Sequence, residues 1–247
     1  MPELTEWELE KYKRQIMIPG FGVEAQEKLK GCAALVTRVG GLGGPTALYL
    51  AAAGIGKLLI AHGGTVTPSN LNRMILVRGD GVDQPRMPQM VETLRRFTPD
   101  VEVIGIAEDA RADNVAGWIE QVDIVCPTTP DFGERLLLNA EAWRQGKPLI
   151  DAWMSGMEAQ LTTLIPGQTA CLQCRLPEKP DWWHPLGFGV VGALSASLGC
   201  LAALEAIKVL TGYGETLAGK LLVMDAEEME FHKYEITRRE GCPVCGG

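Results

Sequence analysis

Strand patterns and helix patterns alternate along the first two thirds of the chain, and this alternation limits the possible folds more than any other feature. The apolar run 32–37 has the length of a buried strand, a glycine-rich turn at 40–44 follows it, and a helix with Pro45 in its first turn opens there. Further strands are predicted at 57–61, 101–106, 122–126 and 148–152, with helices at 86–97 and 134–144. This order predicts an α/β fold with a Rossmann-like, doubly wound, mostly parallel sheet covered on both faces.

The pattern changes after residue 152. Segments 157–165 and 220–230 are predicted to be longer, antiparallel strands, separated by an aromatic loop and a small-residue helix at 192–210. The sheet is therefore expected to end in antiparallel strands on its C-terminal side.

Charge and hydropathy exclude several classes of function. The chain has 23 Lys and Arg against 31 Asp and Glu, a net charge of −8, and no basic cluster, so nucleic acid is not the expected partner. No apolar stretch is predicted to be long enough to cross a membrane, and the acidic N-terminus does not resemble a signal peptide. We expect a cytoplasmic protein without a membrane partner.

Four of the seven cysteines form two C-x-x-C pairs, Cys171 with Cys174 and Cys242 with Cys245. Four thiolates in two such turns match the ligand number of a tetrahedral structural zinc. A redox dithiol is the alternative, and an odd cysteine count in a cytoplasmic chain favours metal ligands over disulfides. The zinc would fasten the C-terminal tail to the loop after Ile165, contributing stability rather than catalysis.

The glycine-rich turn matches a phosphate-binding turn incompletely. Aligned to G-x-G-x-x-G, Gly40 and Gly43 fill the second and third glycine positions, whereas Arg38 occupies the first. The segment 57–64 has no Asp or Glu to hold a ribose, so an NAD dehydrogenase is disfavoured. Many α/β proteins use such turns only for packing.

Five motifs occur in order along the chain: YKRQ at 12–15, PGFG at 19–22, GGLG at 40–43, SNLNR at 69–73, and the two cysteine pairs. With these motifs the chain resembles the ThiF/MoeB/HesA family of ubiquitin-activating-like adenylyltransferases over about residues 12–245. The resemblance implies ATP and Mg²⁺ as cofactors, and adenylation of the C-terminal glycine of a small ubiquitin-like sulfur carrier or of a peptide. It also implies a homodimer in which an arginine of one subunit reaches the ATP of the other.

The resemblance assigns roles to individual residues. Arg14 would be the arginine given across the dimer, and Arg73 would clamp the triphosphate. The remaining matched residues would contact the nucleotide, namely Gly40, Gly41, Gly43, Asn70 and Asn72. Outside this motif context, Arg14 and Arg73 would be interpreted as surface salt-bridge residues.

Four positions depart from the family pattern where the nucleotide would bind. Arg38 replaces a turn glycine, and His62, or Gly64 in an alternative alignment, replaces an acidic residue that accepts hydrogen bonds from the ribose. Arg86 replaces a lysine directed at the phosphates. Pro130 falls where the family has its magnesium-binding aspartate, so a shift of one residue would be needed for Asp131 to supply the carboxylate.

The family members that transfer sulfur or conjugate a protein carry a cysteine before the last core helix. This chain reads WWHPLG at 182–187, so no thioester or persulfide intermediate is expected. Cys126 and Cys200 are predicted to be buried structural thiols. Trp182 and Trp183 belong to a mobile lid or to local packing.

These observations predict a single domain over 1–247, with an N-terminal helical segment at 1–30, a nucleotide-binding core at 31–165 and a zinc-stapled part at 166–247 that carries a loop at 175–190. The first functional hypothesis is an adenylyltransferase that activates a ubiquitin-like protein or a ribosomal peptide during its maturation. The second is a catalytically degenerate scaffold or arginine-donating subunit, in a heterodimer with an intact relative. The third is binding of a different anionic ligand, because Arg38, Arg73 and Arg86 leave the pocket cationic.

Overall fold

The structure, a computed structural model, describes residues 2–181, 183 and 187–246. Its eight strands form one sheet in the order β3-β2-β1-β4-β5-β6-β7-β8. The strands are β1 Ala33–Thr37, β2 Lys57–Ala61, β3 Glu102–Ile106, β4 Ile124–Pro127, β5 Leu149–Ser155, β6 Glu158–Leu164, β7 Lys220–Asp225 and β8 Glu230–Glu235. Strands β1 to β5 pair in parallel and β5 to β8 antiparallel, which confirms the predicted α/β fold.

The helices lie mainly on the two faces of this sheet. They are α1 Glu6–Lys11, α2 Lys13–Ile16, α3 Gly22–Lys30, α4 Gly43–Ala53, α5 Arg86–Phe97, α6 Val115–Ile119, α7 Phe132–Arg144, α8 Leu172–Arg175 and α9 Gly192–Thr211, with 3-10 turns at Pro68–Asn70 and Gly79–Gly81. Thr5 and Glu8 form a capping box on α1, and α4 ends at Gly54, whose φ of 92° favours glycine.

Strand β1 illustrates why both faces are apolar. All five of its residues are buried. Ala34 and Val36 pack into the core cluster that contains Leu50 of α4, whereas Leu35 packs into the opposite cluster with Leu138 of α7. Alternate side chains of the strand therefore meet two different helical layers, as expected for a parallel sheet.

The predicted strand 220–230 is wrong as a single element. The chain turns between β7 and β8, and Asp225 pairs with Glu230 across the hairpin. The Oδ1 atom of Asp225 accepts hydrogen bonds from the backbone N–H groups of Glu227 and Glu228, at 2.9 and 3.2 Å. These side-chain bonds close a turn that strand periodicity alone does not indicate.

The prediction that no segment could span a bilayer also needs correction. Helix α9 is long and apolar enough to do so by length and composition, the one such helix in the described ranges. In the fold it is a core helix, because Leu198, Ala202 and Ala206 are buried against the rest of the main apolar cluster. Its apolar character is therefore explained by internal packing.

Candidate nucleotide pocket and metal centre

A pocket of about 660 Å³ opens where the direction of strand order reverses, between β1 and β4. In doubly wound sheets this crevice at the carboxyl ends of the strands is the usual ligand site. Eight sequence-predicted residues line it, namely Arg38, Gly40, Gly41, His62, Asn70, Asn72, Arg73 and Arg86. Gly43, Arg14 and Asp131 do not line it.

The glycine turn has the close packing that its sequence predicts. A side chain at Gly41 would collide with Arg73 and Ser195, and one at Gly43 would collide with the hydroxyl of Thr128. Gly41 therefore lets Arg73 lie over the turn, and Gly43 lets the start of α4 approach the segment after β4. Gly43 has a packing role here, as the third glycine of such turns often does.

Arg38 adopts the left-handed conformation, with φ of 52°, in place of the turn's first glycine. Its Nε donates to Oε2 of Glu134 at 2.8 Å, and its Nη1 lies 3.1 Å from Oδ2 of Asp109. Glu134 also accepts a 2.9 Å bond from Thr129. Burial raises the pKa of Glu134 above its ordinary value, although the neighbouring Arg38 acts in the opposite direction.

His62 and Arg86 form a direct contact in the pocket. The Nη1 of Arg86 lies 2.7 Å from Nε2 of His62, and its Nη2 donates to the carbonyl of Thr65. Burial, followed by the charge of Arg86, lowers the pKa of His62 to about 4. A guanidinium only donates, so Nε2 must accept, and the imidazole is neutral at physiological pH.

The SNLNR motif forms a turn whose polar side chains bind one another. The buried Asn70 accepts a 3.0 Å bond from the backbone N–H of Thr67 and thereby caps the 3-10 turn. Arg73 donates from Nη1 to the carbonyl of Ser69 at 2.6 Å and to the side chain of Asn72 at 2.8 Å. Asn70 therefore shapes the turn, while Asn72 orients Arg73 towards the pocket.

Asp131 lies beside the pocket, but its side chain caps a helix. It is the N-cap of α7, and its Oδ1 accepts a 2.8 Å bond from the backbone N–H of Glu134. Pro130 lines the pocket, and its carbonyl accepts a 2.9 Å bond from the indole of Trp183. The residue shift that would direct Asp131 at a metal in the pocket is therefore not seen.

Trp183 packs next to two residues of the pocket lining, Pro130 and Trp153. It stacks on Trp153 with ring centroids 5.4 Å apart, meets Phe132 edge to face, and is almost fully buried. Of the two interpretations of the aromatic loop, local packing fits Trp183. Trp182 lies outside the described residues.

Arg14 is exposed on α2 and is separate from the pocket lining. This position leaves its guanidinium accessible to a second chain, as the predicted donation across a dimer requires.

Sequence reasoning missed Asp109, Glu134 and Thr129. Asp109 follows β3 by three residues, so its place beyond the carboxyl end of a parallel strand was a usable signal. Glu134 lies in the first turn of α7, where an acidic residue is ordinarily explained by the helix dipole alone.

The four predicted zinc ligands come together at one point. The Sγ atoms of Cys171 and Cys242 are 3.5 Å apart, those of Cys174 and Cys245 are 3.3 Å apart, and all four lie within 4.8 Å of one another. Four sulfurs bound to one tetrahedral zinc at 2.3 Å would lie about 3.8 Å apart. The cluster therefore fits a closed tetrahedral metal site.

A buried ion network runs from this cluster to Trp183, which stacks on the lining residue Trp153. Arg175, next to Cys174, donates to Oδ2 of Asp151 at 2.9 Å, and Arg135 donates to Oδ1 at 2.6 Å. Burial by itself raises the pKa of Asp151, but the two guanidinium groups outweigh it and hold the pKa below its ordinary value. Arg135 also lies 5.0 Å from the ring centroid of Trp183.

Comparison with known proteins agrees with this arrangement of turn, pocket and cysteine cluster. The family model described as ThiF family matches residues 12–244. The chain belongs to the ThiF family. The resemblance inferred from the motifs is therefore confirmed.

Named relatives of this ThiF family chain cover most of its length. Protein HesA of Leptolyngbya boryana is 50% identical over 246 residues, which is 100% of this chain and 88% of that protein. The sulfur carrier protein ThiS adenylyltransferase of Escherichia coli is 34% identical and covers 96% of this chain and 95% of its own. The structure of Escherichia coli MccB with ATP has a TM-score of 0.81 at 23% identity, over 96% of this chain and 73% of that one, a likeness of fold.

Proposed function

We propose that this ThiF family chain is an ATP-dependent adenylyltransferase that activates a carboxylate of a small ubiquitin-like protein or a ribosomal peptide. The observation that carries the proposal is the cationic pocket at the strand-order reversal, where the glycine turn opens α4 and Arg73 and Arg86 line one cavity. The N-terminus of α4 and guanidinium groups are both suited to phosphate oxygens. The adenylyltransferase relatives at about one-third identity support this class of reaction.

In the proposed reaction, a carboxylate oxygen of the substrate attacks the α-phosphorus of ATP. The new bond joins that oxygen to phosphorus, the bond between the α-phosphorus and its bridging oxygen breaks, and pyrophosphate leaves with the electron pair. Arg73 and Arg86 would neutralise the charge that grows on the leaving group. Arg14 of a second copy would add a further cation in a homodimer.

The proposed reaction has no covalent intermediate on a cysteine of this chain. All seven cysteines are among the described residues, and none of them lines the pocket. Four form the metal cluster, and burial raises the pKa of Cys126 to about 12 and that of Cys32 to about 11, far from the thiolate that a nucleophile needs. Burial also raises the pKa of Cys200. The adenylate would therefore pass to another acceptor.

The test is pyrophosphate release by the zinc-loaded protein with ATP, using small ubiquitin-like carriers that end in Gly-Gly and ribosomal peptides as substrates. Hydroxylamine in the reaction traps an acyl adenylate as a hydroxamate on the substrate, which mass spectrometry detects. We expect release that depends on the carrier and is lost in Arg73→Ala and with a carrier lacking its last glycine. Arg78→Ala, which changes an exposed arginine outside the pocket, is the matched control.

A scaffold or arginine-donating subunit is the second candidate. It is favoured by Asp131 being used as a helix cap and by His62 using its acceptor on Arg86. If none of the substrates yields a hydroxamate, whether or not ATP binds, the adenylyltransferase proposal is wrong. Stimulation of an intact relative that Arg14→Ala abolishes would then identify the arginine-donating subunit.

A further inference from the structure

We propose that this pocket binds the phosphate groups of its ligand through guanidinium groups without a protein-bound divalent cation, and that Arg38 is the added cation. The proposal rests on the proposed function for the identity of the ligand as a nucleotide. The inference also applies to phosphate ligands other than nucleotides, because it predicts that an inorganic polyphosphate binds in the complete absence of Mg²⁺.

The carboxylates near the pocket are already used by protein groups. Asp109 is the one acidic residue among the described residues that line it. Its Oδ1 accepts from the backbone N–H of Gly63 at 3.0 Å, and its Oδ2 pairs with Arg38. Mg²⁺ is usually bound through one or two carboxylates in near-octahedral geometry, so a metal held by Asp109 would compete with Arg38 for its Oδ2.

Two other acidic residues lie nearby but do not line the pocket. The Oε2 of Glu134 accepts from Arg38 and Thr129, and its Oε1 is buried without a hydrogen-bond partner among the described residues. Asp131 caps α7. The donor set around the pocket therefore does not fit a magnesium ion held by the protein.

Arg38 is held in a position from which it can bind an anion. Two of its three guanidinium nitrogens contact Glu134 and Asp109, and its Nη2 forms no hydrogen bond or ion pair within the described part of the chain. The side chain remains about one-third exposed, at 29%, and lines the pocket beside Gly40. Two carboxylates thus fix the direction of the guanidinium while one edge of it stays open to a ligand.

The backbone supports a functional reason for Arg38. A residue other than glycine at φ of 52° is strained and persists only where its surroundings impose that conformation. Here the hydroxyl of Thr128 donates to the carbonyls of Thr37 and Arg38, at 2.6 and 3.1 Å, and fixes the turn. With arginine instead of glycine at this strained position, the turn carries a side chain that faces the pocket.

The side chains that line the pocket carry a net positive charge. The described lining residues include the cations Arg38, Arg73 and Arg86 and one carboxylate, Asp109, so they sum to +2 with His62 neutral. A polyphosphate therefore meets a site that compensates its charge with fixed donors. Asp109 and Glu134 act as positioning residues, because they orient Arg38 rather than contact the ligand.

The experiment is isothermal titration of the full-length, zinc-loaded protein with inorganic tripolyphosphate and with ATP. Each titration is made with free Mg²⁺ and in buffer that was freed of divalent cations on a chelating resin before the zinc-loaded protein was added, and metal analysis verifies that the protein holds zinc but no magnesium. For the wild type we expect dissociation constants that agree within about threefold between the two conditions, since fixed guanidinium groups carry the binding. The readout is the ratio of the dissociation constants with and without Mg²⁺. This ratio would not change on substitution if Arg38 had only a structural role.

Arg38→Gly is the decisive variant, because glycine accepts the left-handed backbone and the fold is retained, as melting temperature verifies. We expect tripolyphosphate binding without magnesium to weaken about tenfold or more, the usual effect of losing one charged hydrogen-bond donor. Arg38→Lys should restore part of the binding, Glu134→Gln should weaken it less than Arg38→Gly, and Arg78→Gly is the matched control. Wild-type binding that requires Mg²⁺, or Arg38→Gly binding equal to wild type, would overturn the proposal.

The outcome is independent of the catalytic proposal. Magnesium-independent binding without hydroxamate formation would retain this inference and reject the adenylyltransferase. Hydroxamate formation with strictly magnesium-dependent binding would do the reverse.

Discussion

The Nη1 of Arg86 lies 2.7 Å from the Nε2 of His62, and this contact fixes which ring nitrogen carries the proton. Because Arg86 can only donate, His62 carries its hydrogen on Nδ1. The only acceptor of a neutral imidazole is then used, and His62 cannot accept a hydrogen bond from a ribose hydroxyl while the contact persists.

This tautomer can be observed by long-range ¹H–¹⁵N NMR of the three histidines. We expect the Nε2 of His62 to have the chemical shift of an unprotonated nitrogen at pH 7 and to begin titrating only near its pKa of about 4. The exposed His232 serves as the internal control. A proton on Nε2 of His62 at pH 7 would contradict the geometry.

The low pKa of His62 also predicts a dependence of stability on pH. The folded pKa lies below the unfolded value of 6.5, so the contribution of His62 is complete above pH 6.5 and is lost as the pH falls towards about 4. The difference of about 2.5 pKa units corresponds to roughly 3 kcal/mol. Urea unfolding from pH 7 to pH 4 should show a weaker decline for His62→Asn than for the wild type, whereas His232→Asn should follow the wild type.

The cysteine cluster predicts one zinc per chain. Cys242→Ser should lose the metal and lower the melting temperature by roughly 6–12 °C, for a loss of about 3 kcal/mol of ligand-linked stability. Cys200→Ser, whose thiol is outside the cluster, should keep both zinc and melting temperature. Elemental analysis together with calorimetry makes the comparison, and a zinc content unaffected by Cys242→Ser would remove the cluster as the site.

Among the described residues, Asp151 is the one carboxylate paired with both Arg135 and Arg175. Asp151→Asn would leave two buried cations without a counter-charge and should destabilise the fold by about 3–5 kcal/mol. Asp113→Asn, which breaks a solvent-exposed pair with Arg111, should leave the free energy of unfolding nearly unchanged. Guanidinium chloride unfolding measures both, and equal losses would show that the network contributes little.

Asp100 anchors the N-terminal helices and should make that attachment sensitive to acid. Burial raises its pKa, but bonds from Lys11 and from the hydroxyl of Tyr12, the latter at 2.6 Å, outweigh burial and hold the pKa below 3.8. The contribution, about 1 kcal/mol, is present above pH 3.8 and lost as the pH falls below it. Asp100→Asn should therefore flatten the acid limb of the stability curve, whereas Asp80→Asn, an exposed control, should not.

The regular elements were predictable where their signals are local. The ends of β2 at 57–61 and of α5 at 86–97 were predicted without error, since an apolar run between breakers and a start after Pro85 are both visible in a short window. The turn between β7 and β8 was not, because a side chain of Asp225 creates it.

The candidate site also has parts that the sequence predicts and parts that it does not. Two C-x-x-C pairs predict a metal site by residue type and spacing, so the cysteine cluster was predictable from the sequence. The partners of Arg38 were not predictable, because Asp109 and Glu134 are distant in sequence, Glu134 by 96 residues, and surface acids are too common to be informative. Asp131 was considered as a magnesium ligand on the condition of a one-residue shift, whereas in the structure it is the N-cap of α7.

Cys171 and Cys242 are 71 residues apart in sequence, and the segment between them contains α9, β7 and the exposed edge strand β8. A metal at the cluster closes this segment into a loop whose two ends are joined at one point. Under mechanical load from the C-terminal side, the metal–thiolate bonds are then stressed before the hydrogen bonds of β8. Exchange of that strand between two molecules, a common route to swapped assemblies, would require the metal to dissociate first. With a metal bound, the cysteine cluster would therefore restrict exchange of this segment between molecules as well as stabilise the fold.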